Sequence, residues 1–289
     1  MARRKKIREP VAEPVAAEPV TLQEPPPGAP VYSPIETFDQ FVTHAEKGAR
    51  AAGAQYESHT GDDEFAGCSW SEAVRMARYG WPEGVAAVRD AMPLEGGIEP
   101  IAAWELGPVG SFVCMPAFLS GSPVSMFERV EIEGARRRIA LIQNICCQWQ
   151  ITAAERIEYA AAVAQVVADL TAGGVDVALY AMQVNSCGKQ RFSSAVAIRE
   201  FGEPFDLTRI AFSAHPAFHR RLGFAWRENS PAFVPIAQGG YGFAENVTTA
   251  DIIGCGLELD PEAIKILPRL SSRHRDTAYW LKQFREAIA

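Results

Sequence analysis

Chemistry in this chain would have to come from its thiols and imidazoles, because six cysteines stand at 68, 114, 146, 147, 187 and 255 beside five histidines. A cysteine nucleophile needs a base and a setting that favours the thiolate. Cys187, in Asn185-Ser-Cys-Gly-Lys-Gln190, is the best-placed thiol, at an expected strand end with Lys189 nearby. Cys146, in Asn144-Ile-Cys-Cys-Gln-Trp149, is the second candidate and needs a histidine brought to it by the fold. His215 and His219 are four apart, the spacing of paired imidazoles on one helical face. The glutamate of the zinc-protease motif is missing and Arg220-Arg221 follows directly, so these histidines read as a polar helix surface and no metal is expected. No C-x-x-C occurs, which excludes a zinc ribbon. Gly188-Lys189 has glutamine at 183 where a phosphate-binding loop has glycine, and Gly239-Gly-Tyr-Gly242 runs into no clear helix, so no nucleotide cofactor is expected either.

The elements that must position these groups centre on residues 136 to 183. Arg137 to Gln143 reads as a short apolar strand fit for burial in a parallel sheet. Thr152-Ala-Ala-Glu155 is a capping box that opens a helix. Ile157, Ala160, Ala161, Ala164, Val167 and Leu170 give that helix a buried stripe, and Gly173-Gly174 supplies a left-handed stop. Val175 to Met182 is the second strand. Strand, crossover helix and parallel strand form a right-handed unit whose first loop lies at the carboxyl end of the sheet, where open α/β folds bind ligands. That loop, Asn144 to Trp149, is polar and uncharged. Asn144, Cys146, Gln148 and Trp149 are therefore the candidate surface for a protein partner, with Trp149 as the apolar anchor.

Around this core the chain divides into three parts. Residues 1–34 form a basic, proline-rich arm: Arg3, Arg4, Lys5, Lys6 and Arg8 precede repeated Glu-Pro steps, a composition that cannot pack a core and reads as disordered. Residues 35–130 read as a helical region and connector: one helix from Ile35 to about Ala52, a second capped by Ser69-Trp-Ser-Glu72 and stopped at Gly80, and a third from Trp81-Pro82 to Met92. Residues 131–289 form the α/β domain, an open, mostly parallel sheet with helices on both faces. Its later elements are expected as a strand over Ser194–Phe201 and a helix capped at Asp206 that continues or restarts after Pro216. A glycine-rich loop from Pro231 to Ala244, a strand over Ala250–Gly256, and helices over Pro261–Leu270 and Asp276–Ile288 complete it. Trp70, Tyr79 and Trp81 are expected to pack the helical hairpin onto the sheet.

The hydrophobic content of 48% and charged content of 22% are those of an ordinary globular protein, and no apolar run approaches the ~20 residues of a membrane span. The basic start leads into Glu-Pro repeats and not an apolar stretch, so export is not expected and the thiols are expected reduced in a cytoplasm. Residues 1–30 carry a net charge of +1, which leaves −8 on the rest of a chain of net −7. Such a body repels a phosphate backbone, so nucleic-acid contact is confined to a weak, salt-sensitive contribution from the first eight residues.

Two resemblances add to this reading. The order of strand, long helix, strand, a late Asp-Ile-Ile-Gly-Cys-Gly256 segment and a terminal helix resembles the von Willebrand factor A fold over roughly residues 135–289. Metal-binding members of that family carry Asp-x-Ser-x-Ser after the first strand. The matching positions here are Asn144, Cys146 and Gln148, which implies the scaffold without its cation. Phe65 to Gly84, together with Ala211 to Leu222, is similar to a family of bacteriophage and prophage proteins, which implies a phage origin and the cytoplasm of a bacterial host. The function expected is a non-enzymatic interaction module, with a cysteine-dependent enzyme using Cys187 or Cys146, or non-specific nucleic-acid binding through the N-terminal arm, as the alternatives.

Overall fold

The computed structural model describes residues 29–92, 104–109, 112–113, 118–119, 121–129, 137–146, 151–270 and 275–288. Its strands are β1 (Val31–Tyr32), β2 (Glu36–Thr37), β3 (Trp104–Gly107), β4 (Phe112–Val113), β5 (Met126–Arg129), β6 (Arg138–Asn144), β7 (Asp176–Cys187), β8 (Gln190–Arg199), β9 (Phe243–Ala244) and β10 (Ile264–Ile266). Seven of them form one mixed sheet in the order β1-β8-β7-β6-β10, with β2 also on β8 and β9 also on β7. Parallel pairs join β1 and β2 to β8, β6 to β7 and β10 to β6. The β7–β8 and β7–β9 pairs are antiparallel. A second, antiparallel sheet has the order β3-β5-β4.

The unit from β6 to β7 forms as its sequence dictates. Thr152 caps the Ala153–Ala172 helix with the reciprocal bonds of a capping box, its hydroxyl accepting from Glu155 N while Glu155 takes Thr152 N. At the other end Gly173 N donates to Asp169 O and Gly174 takes a φ of +81°, so the left-handed stop falls on the second glycine. Burial on this helix extends beyond one stripe to Ala162, Val163 and Val166. Neighbouring helices explain it: Pro82–Ala91, Leu207–Ala214 and Thr277–Ile288 all pack against it in addition to the sheet.

Alternation along the strands sends Ile139 and Leu141 of β6, with Val177, Leu179 and Ala181 of β7, into the large helix-covered core. Ala140, Ile142, Ala178, Tyr180 and Met182 go to a smaller core on the opposite face, closed by Ile252 and Cys255. Phe38, Phe41, Val42, Ala73, Met76 and Val88 belong to the same large cluster as Leu141, so the described helices before residue 92 share the core of the sheet.

Several expectations are corrected. Val31–Tyr32, placed in the arm, is a strand, because parallel pairing to β8 satisfies a backbone that flanking prolines keep extended. The first helix is short, Phe38–Ala45, capped by Thr37. The strand expected at Ser194 starts at Gln190, since Gly188 at φ +60° turns β7 directly back as a hairpin. Pro231–Gln238 is not a loop but a 3-10 turn followed by a short helix. Ala250–Gly256 is not a strand: Thr248 and Asp251 form a capping box, and Thr249–Gly254 is helical. A short apolar run fits helix and strand alike, and the cap decides. The strand beside β6 is Ile264–Ile266, inside the span expected to be helical, where alternating β-branched residues complete the outer edge. Tyr79 is 84% exposed and, among the described residues, packs on no other ring, whereas Trp70 stacks on His59 and Trp81 meets His215 edge-on.

Candidate functional site

Two polar residues break the apolar run of β7, Gln183 and Asn185, and two-residue alternation turns both toward the helix-covered face. They sit at the carboxyl end of the sheet, level with the end of β6 from which the chain passes through Ile145 to Cys146. Opposite them a π-helical turn, Phe218–Gly223, brings His219 inward, and the Phe224–Glu228 helix brings Arg227. Cys146 Sγ lies 3.2 Å from Asn185 Oδ1, 3.6 Å from His219 Nε2 and 3.8 Å from Arg227 Nη2. The same Nη2 donates to Gln183 Oε1 at 2.5 Å and Asn185 Oδ1 at 2.8 Å. Cys146 is 0% exposed, and Gln183, Asn185, His219 and Arg227 are all buried.

The surroundings fix these groups. Asn144 Oδ1 accepts from Cys146 N at 3.0 Å while its Nδ2 donates to Glu245 O at 2.7 Å, which holds the chain in position as it leaves β6. Asn185 Nδ2 donates to Tyr241 O at 3.1 Å. Tyr241, at φ +64°, stacks on Phe224 with centroids 3.6 Å apart and donates its hydroxyl to Glu228 Oε1 at 2.6 Å. Glu228 also accepts from Ser58 N at 3.1 Å and faces Arg50 Nε at 2.9 Å, so its charge is spent away from the thiol.

The electrostatics follow from burial. Burial first, then the charges of Arg227, Arg156 and Arg220, hold His219 well below the usual histidine range, so its imidazole is neutral at physiological pH. Burial likewise works against the Arg227 charge, and the neighbouring Cys146 sulfur is the group that offsets this most. Among the described residues no carboxylate touches Arg227. A guanidinium does not give up its proton in a protein, so the counter-charge must come from the sulfur or from a bound anion. A cavity of about 20 Å³, bordered by Gln143, Asn144, Arg156 and Ser213, adjoins the Cys146 segment and has room for one water molecule.

A family model described as a domain of unknown function, DUF7192, matches residues 24–288. The chain belongs to this family. Nothing among the curated proteins or the solved structures matches it.

In this DUF7192 chain Asn144 and Cys146, read as part of a surface for a protein partner, are both buried and are joined by the bond from Cys146 N to Asn144 Oδ1. Gln148 and Trp149 lie outside the described residues. Cys187 is half-buried and donates to Pro235 O at 3.4 Å, with no histidine beside it among the described residues. His215 and His219 do not form a polar surface: both are buried and point to different partners. His215 accepts from Ala217 N at 3.1 Å against Trp81, and His219 meets the thiol. Among the described residues no group of three or more His, Cys, Asp or Glu is placed to hold a metal, and no helix is long and apolar enough to cross a membrane. Sequence reasoning missed Gln183, Asn185 and Arg227. The signal was present in β7, where amides at 183 and 185 interrupt an apolar strand on one face.

Proposed function

We propose that this chain is a cysteine-dependent enzyme in which Cys146 is the nucleophile. The approach of His219 Nε2 to within 3.6 Å of Cys146 Sγ, with Arg227 alongside, carries the reading. In attack the thiol proton passes to Nε2 while sulfur bonds to an electrophilic carbon. The imidazolium so formed is disfavoured by burial and by three guanidinium charges, which makes it a strong acid able to protonate the leaving group as that group departs with its bonding pair. Water then displaces the enzyme sulfur by the same route. Arg227 offsets charge on sulfur throughout. A cytoplasmic setting fits this chemistry, and Cys68, Cys187 and Cys255 are free thiols.

The test is peptide-resolved alkylation of the native chain with iodoacetamide at pH 7. Cys146 should react faster than Cys68 and Cys255, whose thiols burial pushes up to about 11 and about 12. The advantage should vanish in Arg227→Met. A Cys146 no faster than Cys255 would overturn the assignment.

A second reading, partner binding at the same end of the sheet, draws support from Phe243, which is 79% exposed on β9 beside the end of β7. Capture from host lysate compared with Phe243→Ala and Trp149→Ala tests it, and identical partner lists for all three proteins count against it. For the scaffold we propose a von Willebrand factor A-like arrangement, a reading supported by the adjacency β8-β7-β6-β10 with its antiparallel β7–β8 hairpin.

A further inference from the structure

Three buried nitrogen atoms around Cys146 have no hydrogen-bond partner: Arg227 Nη1, Gln183 Nε2 and His219 Nδ1. Their side chains are 1%, 2% and 8% exposed. A buried donor left unpaired is destabilising, and two such donors on the coupled Arg227 and Gln183 side chains, with a third on the His219 ring, indicate a site shaped for an absent acceptor. Two of the three groups are already coupled, because the Arg227 Nη2 bond to Gln183 Oε1 at 2.5 Å locks the guanidinium edge to the amide. The third is a donor whenever Nε2 is free to take the thiol proton, since the neutral ring then carries its hydrogen on Nδ1.

The charge of the missing acceptor follows from the same residues. Arg227 is buried without a carboxylate among the described residues, and Arg156 and Arg220 add positive potential at His219. Water would satisfy the donors without adding negative charge beside Arg227; an anion does both. A carboxylate suits the geometry best, offering two oxygens in one plane to a guanidinium edge and a neighbouring amide. A phosphate brings a third charged oxygen and more volume, while the stacked Phe224 and Tyr241 rings fill the adjoining space.

Building on the nucleophile assignment above, we propose that the substrate of Cys146 is a small carboxylate, held through its oxygens by Arg227 Nη1 and Gln183 Nε2 so that an electrophilic carbon next to the carboxylate meets Sγ.

Iodoacetate is the simplest probe of this arrangement: its carboxylate adjoins an electrophilic carbon, and the thiolate displaces iodide, forming S–C as C–I breaks with the pair leaving on iodine. Second-order rates for iodoacetate and the neutral iodoacetamide are measured at Cys146 in the native full chain and in the urea-unfolded chain, with fragment ions separating Cys146 from Cys147. The native chain should prefer iodoacetate at least about tenfold more than the unfolded chain does, the effect of one charge-assisted hydrogen bond. Gln183→Leu should lower that preference and Arg227→Met abolish it. Propionate should protect Cys146 from iodoacetamide and propionamide should not, a readout that needs no variant to fold. If neither reagent labels native Cys146 faster than Cys255, the nucleophile assignment itself fails. Labelling by iodoacetamide with an unchanged preference overturns the carboxylate site and leaves the nucleophile standing. Protection by inorganic phosphate exceeding that by propionate overturns the proposal in favour of a phosphate ligand.

Discussion

Lowering the pH should unfold this protein partly through His215. Its ring is packed against Trp81 at 4.5 Å and Phe212 at 6.2 Å. Burial, with the charge of Arg156 adding to it and Glu72 opposing, brings its pKa down to about 4. In the unfolded chain the same group titrates near 6.5, so between those values the unfolded state binds a proton that the folded state refuses. Stability from the neutral ring is therefore complete above about pH 6.5 and lost progressively as the pH falls toward 4. At ~1.36 kcal/mol per pH unit the loss amounts to about 2 kcal/mol by pH 5 and about 3 kcal/mol at the lower limit. His215→Asn isolates the effect, because the amide oxygen can still accept from Ala217 N but has no proton to gain. The variant should be less stable than the parent at pH 8, through loss of the ring contacts. That gap should close by about 2 kcal/mol at pH 5, read from urea midpoints with m held in view. A gap that stays constant to within about 0.5 kcal/mol would refute the argument, since a purely packing role for the ring has no reason to titrate.

Three further outcomes are expected. Glu228→Ala strands Arg50, Tyr241 OH and both Ser58 donors in a buried site and should cost about 3–5 kcal/mol in urea unfolding; a loss under about 1 kcal/mol would mean the network does not hold the 50–60 segment. Gly174→Ala meets no atom within 4 Å but must adopt φ +81°, so it should cost about 1–2 kcal/mol in the same assay, with Gly173→Ala, at φ −73°, nearly neutral. Millimolar magnesium should leave the melting temperature unchanged, because Asn144 is occupied at both ends by Cys146 N and Glu245 O. A rise of several degrees abolished by Asn144→Ala would show a bound cation, as any ligand of the folded state alone must raise stability.

The central βαβ unit was legible because its signals are local. Thr152 and Glu155 are three residues apart, Gly173 and Gly174 are adjacent, and the strands on either side are uniform apolar runs. Elements decided by distant partners were not legible. Asp251 reads as the start of a strand until its carboxylate is seen accepting from Arg191 and Ser193 and capping Thr248. Ile264–Ile266 is a strand only because β6 offers it an edge. The site falls in the same class: Cys146 and His219 are 73 positions apart, and the turn that delivers His219 is π-helical, a geometry with no compositional signature. What the sequence did contain was the placement of Cys146 just past a buried strand, at the end of the sheet where ligands gather.

Arg221 sits in that same π-helical turn and is fully buried, yet most of its partners are main-chain oxygens: Nε donates to Cys68 O, Nη1 to Glu57 O and Ser58 O, and Nη2 to Gly61 O, with Asp63 the one carboxylate. A single side chain thus does for the 57–68 segment what a neighbouring strand does elsewhere, organising backbone that has only two four-residue helices of its own. Carbonyls are the same whatever residue carries them. The identities at 57 and 68 are therefore free to drift without loosening the segment, while position 221 is not: lysine has one nitrogen where five divergent bonds are needed. In a set of related sequences this predicts an unusual signature, an invariant arginine that shows no covariation with the positions at 57 and 68 whose carbonyls it binds.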